Sequence, residues 1–168
     1  TTGNGAESDC VSCGAGKYSD LTGMSSCTLC PAGTYLTSQG NDEASDCVAC
    51  GAGKYSTTAG ATGASSCEDC GMGKYASTTG NGAESDCVSC GAGKYLAVTG
   101  ASSETSCVAC GAGKYVSSTG SDAETDCVLC GVGKYSSTEG ATGADTCQDC
   151  GAGKYATTGG KGAESECE

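Results

Sequence analysis

The stretch Cys47–Tyr75, CVACGAGKYSTTAGATGASSCEDCGMGKY, holds two C-x2-C pairs twenty residues apart, each followed directly by a five-residue G-x-G-K-Y box. Outward from it in both directions the same two features return. The Cys pairs stand at 10/13, 27/30, 47/50, 67/70, 87/90, 107/110, 127/130 and 147/150, with Cys167 after them. The box reads GAGKY at 14–18, 51–55, 91–95, 111–115 and 151–155, GMGKY at 71–75, GVGKY at 131–135 and PAGTY at 31–35. A Gly stands five residues beyond each Tyr, and only the segment from that Gly to the next Cys changes length, being three residues shorter between Gly23 and Cys27. Such a segment reads as a solvent loop. Self-similarity at a fixed period marks a stacked repeat architecture, so residues 1–168 read as one continuous array of about eight 20-residue repeats with no separate domain.

A longer period lies under the short one. TGNGAESDCVSCGAGKY at Thr2–Tyr18 returns at Thr79–Tyr95, and ATGASSCEDC at 61–70 is echoed by ATGADTCQDC at 141–150, an 80-residue superperiod of four repeats. The residue before the first Cys of each pair also alternates. It is acidic at Asp9, Asp46, Asp86, Asp126 and Glu166, and hydroxyl-bearing at Ser26, Ser66, Ser106 and Thr146.

Composition decides what holds the repeats together. Five Leu and eight Val, with no Ile and no Phe, make 13 of 168 residues, about 8%. That is far below the ~20% under which a chain cannot assemble an apolar core. The chain carries 17 Cys and 30 Gly against one Pro, no Trp and no His. A Cys at one position in ten is the mark of a fold stapled by disulfides or metals in place of a core. Eight Lys+Arg against 20 Asp+Glu give a net charge of −12, with no basic cluster to attract nucleic acid or anionic lipid. No apolar run approaches the length that inserts into a membrane or serves as a signal-peptide core.

Frequent Gly, Val and Thr near the Cys pairs and the absence of 3.6-residue apolar spacing predict little or no helix. Each repeat holds at most one very short β-hairpin, from Lys-Tyr and the residues around the next Cys pair. A piece that small buries nothing alone and must stack on its neighbours. The expected fold is a small disulfide-rich solenoid of loops and hairpins without a hydrophobic core. At ~3.3 Å per extended residue, a chain of such repeats makes a rod on the order of 100 Å long.

The Cys spacing fits two chemistries. C-x2-C pairs sixteen residues apart match a zinc ribbon. The unbroken ladder of pairs, the missing His and the odd Cys favour disulfides. Translational symmetry then prefers identical bonds, Cys13–Cys27, Cys30–Cys47, Cys50–Cys67, Cys70–Cys87, Cys90–Cys107, Cys110–Cys127, Cys130–Cys147 and Cys150–Cys167, leaving Cys10 unpaired or inter-chain. An alternating scheme, first to first and second to second (Cys10–Cys27, Cys13–Cys30), suits the parity before the Cys and leaves Cys167. Bridges closing loops of this size contribute on the order of 3 kcal/mol each.

In the box, both Gly positions read as sites of positive φ and close backbone approach. Tyr18, Tyr35, Tyr55, Tyr75, Tyr95, Tyr115, Tyr135 and Tyr155 read as stacking residues that cover a disulfide or the next Tyr. The Gly-rich stretch lacks the spacing and flanking elements of a phosphate loop. With no His and every Cys in the framework, nothing stands apart as nucleophile and base, so the chain reads as a non-enzyme. The recurrent Lys are expected near recurrent acids, where exposed pairs add little. The acidic loops Asn4–Asp9, Asp42–Asp46, Asn81–Asp86 and Asp122–Asp126 offer oxygen ligands to calcium but match no calcium-loop spacing. No cofactor is expected, with calcium a weak alternative. After each Tyr comes a hydroxyl-rich patch, within which Thr57, Thr58, Thr78, Thr79, Ser118, Thr119, Ser137, Thr138, Thr157 and Thr158 are candidate O-glycosylation sites. Ser136 belongs to the same patch. No Asn-x-Ser/Thr sequon exists.

The run C-x-x-C-P-A-G-T-Y…G…C from Cys27 to Cys47, and its Gly-for-Pro versions elsewhere, resembles the ephrin-receptor-like cysteine-rich repeat and, more distantly, tumour-necrosis-factor-receptor cysteine-rich modules. The resemblance covers essentially the whole chain. It implies disulfide-bonded extracellular modules in tandem, as in receptor ectodomains and in surface or filament proteins of protists and algae. The family's usual Pro appears only at Pro31, with Gly at 14, 51, 71, 91, 111, 131 and 151.

Near-identical repeats suit polymer building. The first expectation is therefore a secreted structural protein, a segment or subunit of an extracellular filament, surface hair or wall layer. It would be O-glycosylated and stacked head to tail on copies of itself. A stalk or adhesive, ligand-binding ectodomain is the alternative, and a metal-thiolate store the third. Since so little apolar surface is available, reductant is expected to convert the chain to a disordered coil, whereas heating without reductant leaves much of the fold in place. Native circular dichroism surviving full reduction is the result that contradicts this.

Overall fold

The structure, a computed structural model, describes residues 11–22 and 25–168. Its strands are all two residues long: β1 Lys17–Tyr18, β2 Thr28–Leu29, β3 Thr34–Tyr35, β4 Val48–Ala49, β5 Lys54–Tyr55, β6 Glu68–Asp69, β7 Lys74–Tyr75, β8 Val88–Ser89, β9 Lys94–Tyr95, β10 Val108–Ala109, β11 Lys114–Tyr115, β12 Val128–Leu129, β13 Lys134–Tyr135 and β14 Gln148–Asp149. Odd strands are the end of a box and even strands the two residues between paired Cys. Consecutive strands form seven two-stranded antiparallel hairpins. Tyr faces Val in four of them, Tyr35↔Val48, Tyr75↔Val88, Tyr95↔Val108 and Tyr115↔Val128. The fold is small and disulfide-rich, with hairpins in tandem and no α-helix among the described residues.

The strands are short because the sequence punctuates them. Ahead of each odd strand the box closes a turn, as where Lys54 N–H donates to the Gly51 carbonyl at 3.2 Å. Its third residue takes positive φ, 81° at Gly53 and 75° at Gly73, the geometry that β-turns assign to Gly. Each even strand is bounded by two Cys, both committed to disulfides.

The chain divides into two compact units, Thr1–Glu68 with Thr78–Asp86, and Asp69–Ser77 with Cys87–Glu168. Within each, one set of backbone bonds recurs from repeat to repeat. In the first, Gly33 N–H donates to the Ser56 carbonyl (2.7 Å), Leu36 N–H to Ala61 (2.9 Å) and Gly60 N–H to Cys30 (2.7 Å). In the second, Gly93 donates to Val116 (2.8 Å), Leu96 to Ser121 (3.0 Å) and Gly120 to Cys90 (2.8 Å). Contact also reaches a second repeat along. A Cβ on Gly33 would fall on the Gly80 carbonyl, and one on Gly73 on the Gly120 carbonyl.

Three expectations need correction. The segment from Gly to Cys is not simply a solvent loop. Its first residue is buried at Ala61, Asn81, Ala101, Ser121 and Ala141, each bridged in parallel to a Tyr of the preceding repeat, as Tyr75↔Ala101. It then makes one 3-10 turn, for example Glu104–Ser106, before entering the Cys. The first Gly of the box needs no special conformation. At Gly51, Gly71, Gly91, Gly111 and Gly131 the backbone is not left-handed and an added Cβ meets nothing, which is why Pro31 is accommodated at the same place. The position directly after Tyr is buried and is not part of a solvent-facing patch. Leu36, Ala76, Leu96 and Val116 are each under 5% exposed, and so are Ser56 and Ser136. Ser136, read as part of an exposed hydroxyl patch, therefore lies inside.

Asn81, 7% exposed, shows how a polar residue is held in such an interior. Its side-chain amide donates to the carbonyls of Lys54 (3.0 Å) and Thr78 (2.8 Å), and its oxygen accepts from the Thr78 hydroxyl (2.7 Å). Every buried polar side-chain atom among the described residues is satisfied, as burial demands.

Two glycines of neighbouring boxes should thus respond in opposite ways. Gly73→Ala forces a left-handed alanine onto a carbonyl and is expected to cost roughly 3 kcal/mol or more. Gly91→Pro, whose N–H donates to no backbone acceptor, is expected to stabilise by about 0.4–1 kcal/mol through the unfolded chain. Denaturant midpoints under non-reducing conditions measure both, and equal shifts contradict the assignment.

Candidate functional surface

Disulfides form the inner line of each repeat. Cys13 is bonded to Cys27, Cys30 to Cys47, Cys50 to Cys67, Cys70 to Cys87, Cys90 to Cys107, Cys110 to Cys127, Cys130 to Cys147 and Cys150 to Cys167, with Cα separations of 5.6–6.0 Å. The second Cys of a pair is the deeper one, at most 1% exposed in Cys30, Cys50, Cys70, Cys90, Cys110 and Cys130. Cys10 lies outside the described residues.

The Tyr rings sit against these bridges. Tyr75 packs on Cys90, Leu96, Ala101 and Cys107, and Tyr95 on Cys110, Val116 and Cys127. In both cases the ring covers the disulfide of the following repeat. Tyr18, Tyr35, Tyr55, Tyr75, Tyr95, Tyr115 and Tyr135 are half-buried, and Tyr155 is exposed. Across the hairpins Val48, Val88, Val108 and Val128 are half-exposed. In the other three hairpins Tyr18 faces Thr28, while 80 residues apart Tyr55 donates to Glu68 Oε2 at 3.1 Å and Tyr135 to Gln148 Oε1 at 2.9 Å.

Charge is distributed in local pairs. Lys94 pairs with Glu104 (3.3 Å), Lys114 with Glu124 (2.8 Å), Lys134 with Asp149 (2.6 Å) and Lys154 with Glu164 (3.6 Å). The hydrogen bond from Lys114, together with its charge, holds the Glu124 carboxyl below its ordinary value. That contribution is present above the unfolded carboxylate pKa and is lost as pH falls through the folded one. Glu124 is exposed and Lys114 only half-buried, so it is small. Lys114, Glu124, Thr125, Cys127 and Leu129 line a shallow open groove.

The acidic loops are turned on themselves. The Asp46 carboxylate accepts from Glu43 N–H, that of Asp86 from Gly82 and Ala83, and that of Asp126 from Asp122 and Ala123. At the alternating positions Ser66 and Thr146 instead donate to the carbonyls of Gly63 and Gly143. At these positions the acid-or-hydroxyl parity reflects two ways of closing one 3-10 turn, whereas at Ser106 the turn is held by Ser103, whose carbonyl accepts from Ser106 N–H and whose hydroxyl accepts from Thr105 N–H. Among the described residues no three acidic or Cys side chains gather as a metal site, and the loop at Asn4–Asp9 lies outside them. No helix of the described residues is long and apolar enough to cross a membrane.

The ten candidate glycosylation residues, Thr57, Thr58, Thr78, Thr79, Ser118, Thr119, Ser137, Thr138, Thr157 and Thr158, are all exposed. They differ in what their hydroxyls do. Thr78 donates to Asn81, and Ser118 shares a 3.2 Å hydrogen bond with Ser121. Sequence reading missed the buried residue after Tyr because it varies among Leu, Val, Ala and Ser. Its recurring feature is a backbone bonded to neighbouring repeats, which leaves no mark in side-chain type.

The Tyr55 phenol offers a probe of this surface. Its hydrogen bond to Glu68, with burial and the negative charges of Glu68 and Glu84 adding to it, raises its pKa above the ordinary tyrosine value. The bond stabilises below the unfolded pKa and is lost as pH rises through the folded one. Glu68→Gln is expected to move the Tyr55 titration down, read by tyrosine-ring NMR between about pH 9 and 12; an unchanged titration refutes the pairing.

A family profile described as tyrosine-protein kinase ephrin type A/B receptor-like matches residues 1–47, 16–67 and 58–107. No curated protein matches the chain.

Proposed function

From the chain's membership of the ephrin-receptor-like family, which makes it a cysteine-rich module of extracellular type, we propose that it is a structural piece of an extracellular filament, surface hair or wall layer. The observation that carries the reading is the stacking rule. Within each compact unit the same three backbone hydrogen bonds join a repeat to its successor, involving Gly33, Leu36 and Gly60 in one and Gly93, Leu96 and Gly120 in the other. A head-to-tail contact of this kind extends without closing. The repeats present one surface again and again, which suits a polymer, and the array works as scaffold, not as catalyst.

In this reading copies stack head to tail and Cys10 bonds to a neighbouring repeat or chain. The exposed hydroxyls after each Tyr carry O-linked sugar, giving an evenly spaced coat. Negative-stain microscopy of native material is expected to show fibres well beyond the ~100 Å that one chain can span at the strand rise. Thiol titration under denaturing, non-reducing conditions is expected to find no free thiol. Short isolated particles with one free thiol contradict the filament, and a mostly reduced, metal-loaded chain points to thiolate storage.

A further inference from the structure

In five repeats the residue directly after Tyr is held on both backbone sides, while Ala76 only donates, to Ala101, and Ala156 only accepts, from Gly133. Leu36 donates to Ala61 and accepts from Gly16, Ser56 donates to Asn81 and accepts from Gly33, and Val116 donates to Ala141 and accepts from Gly93, all within 2.7–3.1 Å. Its side chain points inward and is buried. The next residue inherits that rigid backbone, and in extended chain its side chain points the opposite way. It is exposed, and in six repeats it bears a hydroxyl: Thr37, Thr57, Ser77, Ser117, Ser137 and Thr157. None of these six hydroxyls has a hydrogen-bond partner among the described residues.

One residue further on, the hydroxyl has a task in alternate repeats. Ser38 donates to Asn41 Oδ1 (2.9 Å), Thr78 to Asn81 Oδ1 (2.7 Å), and Ser118 bonds Ser121 (3.2 Å). Asn81 and Ser121 are buried. Capping the Thr78 oxygen removes its only hydrogen and strands a buried acceptor, which burial penalises.

Within the glycosylated reading proposed above, we propose that the attachment point is the second residue after Tyr, at Thr37, Thr57, Ser77, Ser117, Ser137 and Thr157, and that Thr78 and Ser118 stay bare. Ser77 and Ser117 belong to the hydroxyl-rich patches of the sequence, within which the structure singles them out, and Thr37 is visible as a site only from the structure. The reaction is transfer from a nucleotide-activated sugar by an external transferase. The hydroxyl oxygen bonds to the anomeric carbon, the bond from that carbon to the phosphate oxygen breaks, the nucleoside diphosphate leaves with the electron pair, and the hydroxyl proton passes to a base of the transferase. A neutral sugar suits a surface of net charge −12, to which phosphate would add repulsion.

Intact mass and electron-transfer fragmentation of the full chain from its native source test this. Sugar is expected at Thr57 and Ser77 with occupancy at least about tenfold above that at Thr78, the ratio set by one lost hydrogen bond to a buried group. In a secreting host, Ser77→Ala is expected to remove the sugar from its repeat while Thr78→Ala leaves it in place. Sugar on Thr78 or Ser118, or only at other positions, overturns the register while leaving the coat. A mass equal to the bare 16.1 kDa polypeptide, or increments of phosphate alone, overturns the coat itself.

Discussion

The disulfide from the second Cys of one pair to the first Cys of the next is the bond on which everything else depends. With about 8% large aliphatic residues, the chain has no apolar mass to offset conformational entropy. Each bridge closes one repeat, shrinking the unfolded ensemble by an amount worth about 3 kcal/mol. Its deeper sulfur is almost wholly excluded from water, as at Cys90 and Cys110. The ring of Tyr75 or Tyr95 lies over the bridge of the following repeat, with Leu96 or Val116 beside it. The local apolar clusters are thus assembled around sulfur, and they are small because the bridge has done the work that a core does elsewhere.

Once repeats are closed this way, their backbones can approach closely only if side chains are absent at the crossing. Gly33 lies under Gly80, and Gly93 under Gly140. Both members of these pairs have positive φ, so Gly is needed twice over, for conformation and for space. Close approach in turn lets the carbonyls of Cys30 and Cys90 accept from Gly60 and Gly120. The stack therefore gains cohesion from main-chain atoms, while side chains remain free to vary. This explains how Leu36, Ser56, Ala76, Leu96 and Val116 occupy the same buried place in successive repeats.

The outer surface follows from the inner constraints. Tyr–Val hairpins, Lys–acid pairs and Asp-closed turns recur at the spacing that the bridges impose. In six repeats an exposed hydroxyl follows the inward residue. Polar substitutions at Glu68 and Gln148, 80 residues apart, are satisfied by the Tyr hydroxyls opposite them. The superperiod seen in the sequence thus has a local hydrogen-bond counterpart.

The sequence by itself determined the repeat length, the reliance on Cys, the near absence of helix and the hairpins that start at Lys-Tyr. Each of these is a matter of residue type at a fixed spacing, and Cys, Gly and Tyr are types with few structural uses. It left two disulfide schemes open, because spacing alone cannot say which sulfurs meet. Only the tertiary structure decided that the first box Gly is replaceable and the second is not, since the two are the same letter and differ only in what lies across from them. It also decided that the residue after Tyr faces inward. That choice is made by backbone hydrogen bonds from neighbouring repeats, which every residue type can form and no residue type announces.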